Sequence, residues 1–283
     1  MQQTKNKTVL ITGASSGFGK LTAKLFHKNG WNVAASMRSP EQETELNKLE
    51  NLLIVKLDVT DKSSIKDAID KTLRTFEKID VLVNNAGFGA SGFLEEAGSE
   101  DVSKQINTNL IGVINTIQEV LPAMRSQRSG TIINITSAAG SFGMPMLSLY
   151  NATKFAVEGL SESLAFEFKQ FGIDVKTVAP GAFKTNFMDA IAMNEGNKKT
   201  ELNELRNQYK EHLKQMAIKP PKPFGYGDPM DVAEKIYECA TRKTPLKNFV
   251  GKDAKSLAFM NKIMSRKKFY NMLYKAGMSS SNA

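Results

Sequence analysis

Short β-branched apolar runs alternate with longer amphipathic stretches through roughly the first two-thirds of the chain. The apolar runs fall at Thr8–Ile11, 32–35, 52–55, 81–83, 131–135 and 174–178. They are near-continuous, the pattern of strands covered on both faces. Between them apolar residues recur at spacings of three and four, as at Ile65, Ile69, Leu73 and Phe76, which predicts helices. Regular β–α alternation predicts an α/β fold, a parallel sheet with helices on both faces.

The pattern weakens after Pro180. Residues 183–226 hold the most polar stretch of the chain, followed by the breaker run K-P-P-K-P-F-G-Y-G-D-P. This predicts a helical insertion closed by a Pro/Gly loop, expected to act as a lid over a substrate. Asp228 and Pro229 have the character of an N-cap and first turn for a helix over 230–241. A short strand at 248–250 is expected to add the last edge, making about seven strands. The expected division is one catalytic domain over 1–251 and a basic helical extension over 252–283, with a disordered S-S-S-N-A end.

The 283 residues suit one large α/β domain or two small ones. There is no run of about 18 apolar residues, so no membrane span is expected. The opening M-Q-Q-T-K-N-K has no apolar signal region, and a cytoplasmic location is expected. Cys239 is the one cysteine and fits a reducing compartment. His27 and His212 lie far apart, and no Cys/His spacing suggests a metal site.

The net charge of +9 is concentrated near the C-terminus. Lys252, Lys255, Lys262, Arg266, Lys267, Lys268 and Lys275 face one acid, Asp253. The plain reading is a solvated basic helix. The alternatives are a docking face for a partner, peripheral contact with a membrane, or an anionic substrate. No nucleic-acid partner is expected.

Two local patterns carry chemistry. The first strand runs into T-G-A-S-S-G-F-G-K and then a helix over 21–28. Glycines there let the backbone approach a ligand, and the helix N-terminus offers free N–H groups to a phosphate. The spacing Gly13-x-x-x-Gly17-x-Gly19 differs from the G-x-G-x-x-G fingerprint. The second pattern is Tyr150 with Lys154. On a helix such residues share a face, with Cβ atoms about 5–6 Å apart. The ammonium is expected to pull the phenol pKa below its usual value of about 10. A phenol so tuned exchanges a proton with an alcohol or carbonyl oxygen.

Five motifs occur in order: T-G-x-x-x-G-x-G at residues 12–19, N-N-A-G at 84–87, Ser137, Y-x-x-x-K at 150–154 and P-G-x-x-x-T at 180–185. Together they resemble the short-chain dehydrogenase/reductase family, in its standard-length branch, over roughly residues 7–190. The motif region is similar to hydroxysteroid dehydrogenase-like and carbonyl reductase-like members. The resemblance implies a Rossmann-type doubly wound domain, a nicotinamide cofactor, and reversible oxidation of a secondary alcohol to a carbonyl. It implies that Ser137 orients the substrate oxygen, Tyr150 transfers the proton, and Lys154 binds the nicotinamide ribose. Asn109 would hold a water linking Lys154 to solvent. Asn107 competes for that role, and Thr136 competes with Ser137.

The resemblance also assigns the cofactor contacts. Gly13, Ser15, Ser16, Gly17, Phe18 and Gly19 would cradle the phosphates. Asp58 and Val59 would meet the adenine, and Asn85, Ala86 and Gly87 the adenosine side. Pro180 and Gly181 would turn the chain at the cofactor, and Phe183 and Thr185 would meet the carboxamide, while Tyr150 and Lys154 also touch the cofactor. No acid stands at the end of the second strand, where Arg38 follows Met37. An arginine there suits a 2′-phosphate, so NADP(H) is expected, with NAD possible if Arg38 is only a surface charge beside Glu41.

Ser137, Phe142, Met144 and Phe187 are the expected substrate contacts. Phe88, Phe93, Met146, Leu147 and Met188 complete an apolar, adaptable wall, though about half of this set is expected to pack in the core. Steroid-like, retinoid-like or aromatic ketones would fit. The helix bearing Tyr150 packs against its copy in relatives, so a homodimer or homotetramer is expected. The alternative to an enzyme is a non-enzymatic NADP(H)-binding sensor.

Overall fold

The computed structural model describes residues 6–184, 192–193, 200–218 and 225–278. Seven strands form one parallel sheet: β1 (Thr8–Ile11), β2 (Asn32–Met37), β3 (Leu52–Lys56), β4 (Val81–Asn84), β6 (Gly130–Ile135), β7 (Ile173–Pro180) and β9 (Lys247–Val250). Their order across the sheet is β3-β2-β1-β4-β6-β7-β9. The winding therefore reverses between β1 and β4, where open α/β sheets bind ligands. A second, two-stranded piece joins β5 (Ala90–Ser91) to β8 (Ala192–Met193).

Strand alternation sorts the side chains onto two faces. Val9, Ile11, Val33, Ala35, Ile133 and Ile135 point into one core. Helices α1 (Gly17–Lys28) and α7 (Pro229–Thr241) cover it with Phe26, Val232 and Ile236. Leu10, Ala34, Leu82 and Ile132 point into the other. There α2 (Lys62–Phe76), α4 (Gly112–Gln127) and α5 (Ser148–Lys169) contribute Ile65, Ile69, Ile117, Val120, Val157 and Phe168. Asp61 and Asp228 cap α2 and α7 by accepting from backbone N–H groups of Ser63 and Met230.

The short α3 (Ser99–Ile106) runs into a wide π-helical turn over Asn107–Ile111. Within the polar insertion, α6 (Asn203–Ile218) is pinned to the domain. The Arg206 guanidinium pairs with the Glu96 carboxylate, both side chains buried, and Tyr209 donates to the Pro145 carbonyl.

The C-terminal α8 (Lys252–Ile263) and α9 (Arg266–Met278) are docked on the domain. Ala254 and Phe269 are fully buried with Ala138 and Phe142 in a third apolar cluster. Burying a side chain such as Phe269 is worth about 1.5–3 kcal/mol. The basic stretch is thus solvated on one side only.

Candidate active site

Parallel strands bring all their C-terminal ends to one edge, and the candidate residues that directly follow strands lie along it. The glycine turn follows β1, Arg38 follows β2, Asp58 and Val59 follow β3, and Asn85–Gly87 follow β4. Ser137 follows β6, Pro180 ends β7, and Gly181–Phe183 follow it. Thr185, Phe187 and Met188 lie outside the described residues.

The β1 and β4 loops are braced together. Thr12 Oγ1 accepts from the Asn85 and Ala86 backbone N–H groups, each at 3.0 Å. The Asn85 side-chain amide donates to the Thr12 and Gly13 carbonyls, each at 2.9 Å. A Cβ on Gly19 would overlap the Gly13 carbonyl oxygen and the Asn85 amide. Gly17 has φ +53 with open space in front of it. Ser16, the N-cap of α1, makes no side-chain capping bond, so its side chain leaves the first-turn N–H groups uncapped. This open, glycine-walled helix N-terminus fits the pyrophosphate of a dinucleotide. Arg38 is exposed at the adjacent strand end and forms no ion pair among the described residues.

Tyr150 and Lys154 stand on the first two turns of α5. Core contacts at Val157 and Phe168 set its rotation, and Asn134 donates to Ser161 Oγ at 2.9 Å. Asn151 fixes the facing loop by donating to the Ala139 and Phe142 carbonyls and accepting from Met144 N–H. The loop thereby presents the Ser137 hydroxyl to the Tyr150 hydroxyl, and the two are hydrogen-bonded. Thr136 points elsewhere: its hydroxyl donates to Glu158 at 2.6 Å, deep under the loop. Asn107 is exposed, whereas Asn109 is buried. Asn109 accepts from the Phe88 N–H at 3.1 Å and donates to the Phe88 carbonyl at 2.8 Å.

The electrostatics correct the expectation drawn from spacing. The Tyr150 phenol is pushed up to about 12 by burial, which outweighs the opposing hydrogen bond from Ser137. Lys154 Nζ does stand 5.6 Å from the Tyr150 ring centroid. It donates, however, to the Ile135 carbonyl at 2.9 Å. Burial brings Lys154 itself down to about 8, against the pull of the Glu158 carboxylate. Shared burial therefore dominates a pair that the sequence treats as mutually stabilising.

Three further residues organise the site. Glu158 accepts from Thr136 and Thr177 and pairs with Lys247 at 3.3 Å. Its place one turn beyond Lys154 is a signal the sequence carries. Asn151 directly follows Tyr150, with no local pattern to single it out. Asp253, at the start of α8, accepts from the Ala182 N–H at 2.6 Å and so clamps the turn after β7. Phe183 there is buried and meets Phe18 edge-on, with centroids 5.6 Å apart.

The expected apolar wall divides. Phe142 is buried edge-on against Phe269, in the core of the C-terminal helices. Met144 is exposed, and Phe88, Phe93, Met146 and Leu147 are half-buried.

The "short chain dehydrogenase" family model matches residues 7–196. A 3-ketodihydrosphingosine reductase of Bacteroides thetaiotaomicron is 46% identical over 181 residues, which are 64% of this chain and 65% of that protein. The chain thus spans just under two-thirds of that relative's length. A short-chain dehydrogenase from Streptomyces avermitilis superposes with TM-score 0.81 at 32% identity, covering 95% of this chain and 96% of that one. ElxO with NADP bound superposes with TM-score 0.74 at 33% identity, covering 89% and 99%. Most of the chain thus shares both sequence and fold with these proteins, and it belongs to the short-chain dehydrogenase/reductase family of oxidoreductases.

Proposed function

We propose that this protein is an NADP(H)-preferring oxidoreductase that interconverts a carbonyl and a secondary alcohol on an apolar substrate. The observation that carries this reading is the hydrogen-bonded Ser137–Tyr150 pair beside Lys154, at the sheet edge where the α1 N-terminus stands open. A nicotinamide dinucleotide would supply or take up the hydride. Gly13–Gly19 would receive its pyrophosphate, Arg38 its 2′-phosphate, and the 180–183 turn its nicotinamide end. The similarity to ElxO with NADP bound supports that choice.

Ser137 and Tyr150 hold the substrate oxygen between two hydroxyl donors, where negative charge develops during carbonyl reduction. A phenol held protonated at neutral pH is suited to donate its proton to that oxygen. Lys154 holds the nicotinamide ribose and keeps positive charge beside the phenol. Asn109 secures the Phe88 backbone next to Lys154 and supports a water-mediated proton route. The similarity to a 3-ketodihydrosphingosine reductase makes that ketone a rational first substrate.

The test is a panel of ketones and alcohols assayed with NADPH and with NADH. Arg38→Glu should lower kcat/KM for NADPH by about tenfold to a hundredfold, with NADH less affected. Absence of turnover with every pair would overturn the enzymatic reading in favour of a dinucleotide sensor.

Lys154 gives the binding step a pH dependence. Its ammonium titrates near 8 in the protein without cofactor, and the anionic dinucleotide favours the charged form. Affinity should be flat below that pH and weaken above it, by up to about tenfold per pH unit. Titration of NADPH fluorescence across the range checks this. A profile without a break, or one unchanged in Lys154→Met, would contradict it.

A further inference from the structure

The outward face of α8 carries Lys252, Lys255, Phe259, Lys262 and Ile263, at spacings that keep all five on one side of the helix. Phe259 is 61% exposed and Ile263 63%. The outward face of α9 continues the pattern with Lys267, Tyr270 and Tyr274, the two rings 42% and 62% exposed. Residues 254–278 contain no Asp or Glu. Lys252, Lys255, Lys262, Arg266, Lys267 and Lys268 form no ion pair among the described residues. The opposite side of both helices is already satisfied by Ala254, Leu257 and Phe269 in the third cluster. Core packing thus accounts for the inner side and leaves an outer side of interleaved cations and large apolar groups.

We propose that this outer face of α8 and α9 docks the protein on an anionic lipid surface. Phe259 and Ile263 are suited to enter the boundary between headgroups and acyl chains. Tyr270 and Tyr274 are suited to headgroup depth, where an apolar ring with a polar tip is at home. The lysines reach along their stems to the phosphates, each worth about fivefold in partitioning. A second copy of the chain is a poor occupant, because a symmetric contact would face two cationic surfaces. Nucleic acid would use the cations but gain little from Ile263 and Phe259. Among the described residues no helix is long and apolar enough to cross a membrane, so the contact is peripheral.

The face sits close to the candidate active site. Asn261 donates to the Ser141 carbonyl at 3.3 Å, Phe269 packs on Phe142, and Tyr270 lies against Gly143. The same helices therefore back the loop that presents Ser137. Docking would set the mouth of the site against lipid, a route for an apolar substrate. That last link rests on the proposed function, whereas the surface itself does not.

Sedimentation of the full chain with vesicles tests the surface without reference to activity. Vesicles of mixed phosphatidylcholine and phosphatidylglycerol should bind at least about tenfold more strongly than phosphatidylcholine alone, with loss at high salt. Lys255→Ala with Lys262→Ala should weaken binding about 20- to 30-fold. Phe259→Ser with Ile263→Ser should remove the part that resists salt. Both double variants should keep the parent melting temperature, since these side chains face outward. Equal binding to the two vesicle types would overturn the proposal, as would parent-like binding by the Phe259/Ile263 variant. A variant that changed only the mass of the protein in solution would instead assign the face to a second copy.

Discussion

Tyr150→Phe is expected to lower kcat by about 100- to 10,000-fold while leaving dinucleotide affinity within a few-fold of the parent. The substitution keeps the ring, its packing at the head of α5 and its place beneath Lys154. It removes only the hydroxyl hydrogen-bonded to Ser137. Burial holds that hydroxyl protonated up to about 12, so it is a donor throughout the physiological range. A protein lacking it must draw the proton from water, without a positioned acid. Steady-state kinetics and NADPH titration on the same preparation separate the two effects. A near-normal kcat would remove Tyr150 from the mechanism, and a large loss of affinity would make it a cofactor ligand instead.

Glu158→Ala should destabilise the fold by about 3–5 kcal/mol, the range for breaking a buried charged network from one side. The carboxylate is 4% exposed and receives Thr136 from just after β6, Thr177 from β7 and Lys247 from β9. Its loss leaves two buried hydroxyls without that acceptor. It also leaves the Lys154 ammonium without the neighbouring carboxylate that counters burial. Denaturant midpoints at neutral pH measure the stability loss. Glu158→Gln separates structure from charge by keeping the shape of the side chain. Without the negative charge Lys154 should titrate below about 8, and the break in NADPH affinity should move to lower pH. An unchanged break in a stable Glu158→Gln protein would confine Glu158 to a structural role.

Much of this architecture is legible along the chain. The runs at Thr8–Ile11 and 248–250 are strands at or near the expected boundaries, and Asp228 caps the helix that begins at Pro229. These features depend on near neighbours: periodicity sets which faces are apolar, and a cap needs only the next two or three residues. The glycine turn, the Asn85 loop, Ser137 and Tyr150 reach one sheet edge for a related reason. Parallel strands joined by helices leave no other place for loops that follow strand ends. Less legible was the division of the apolar wall. Phe142 belongs to a cluster completed by Phe269, which is remote in sequence.

What the sequence determined by itself is the order of elements, the family and the residue types at the site. The state and support of those residues depend on contacts between segments distant in sequence. Spacing predicts a Tyr150 phenol pulled down by Lys154, yet the structure pushes it up, because desolvation sums over every group packed around the ring. The clamp from Asp253 to Ala182 spans 71 residues, and no local pattern encodes it. The same holds for the C-terminal helices. Their composition announces a basic segment, but only packing decides that Phe269 turns inward and Phe259 outward. Periodicity is a property of neighbours along the chain, whereas burial and charge balance belong to the whole folded set of contacts.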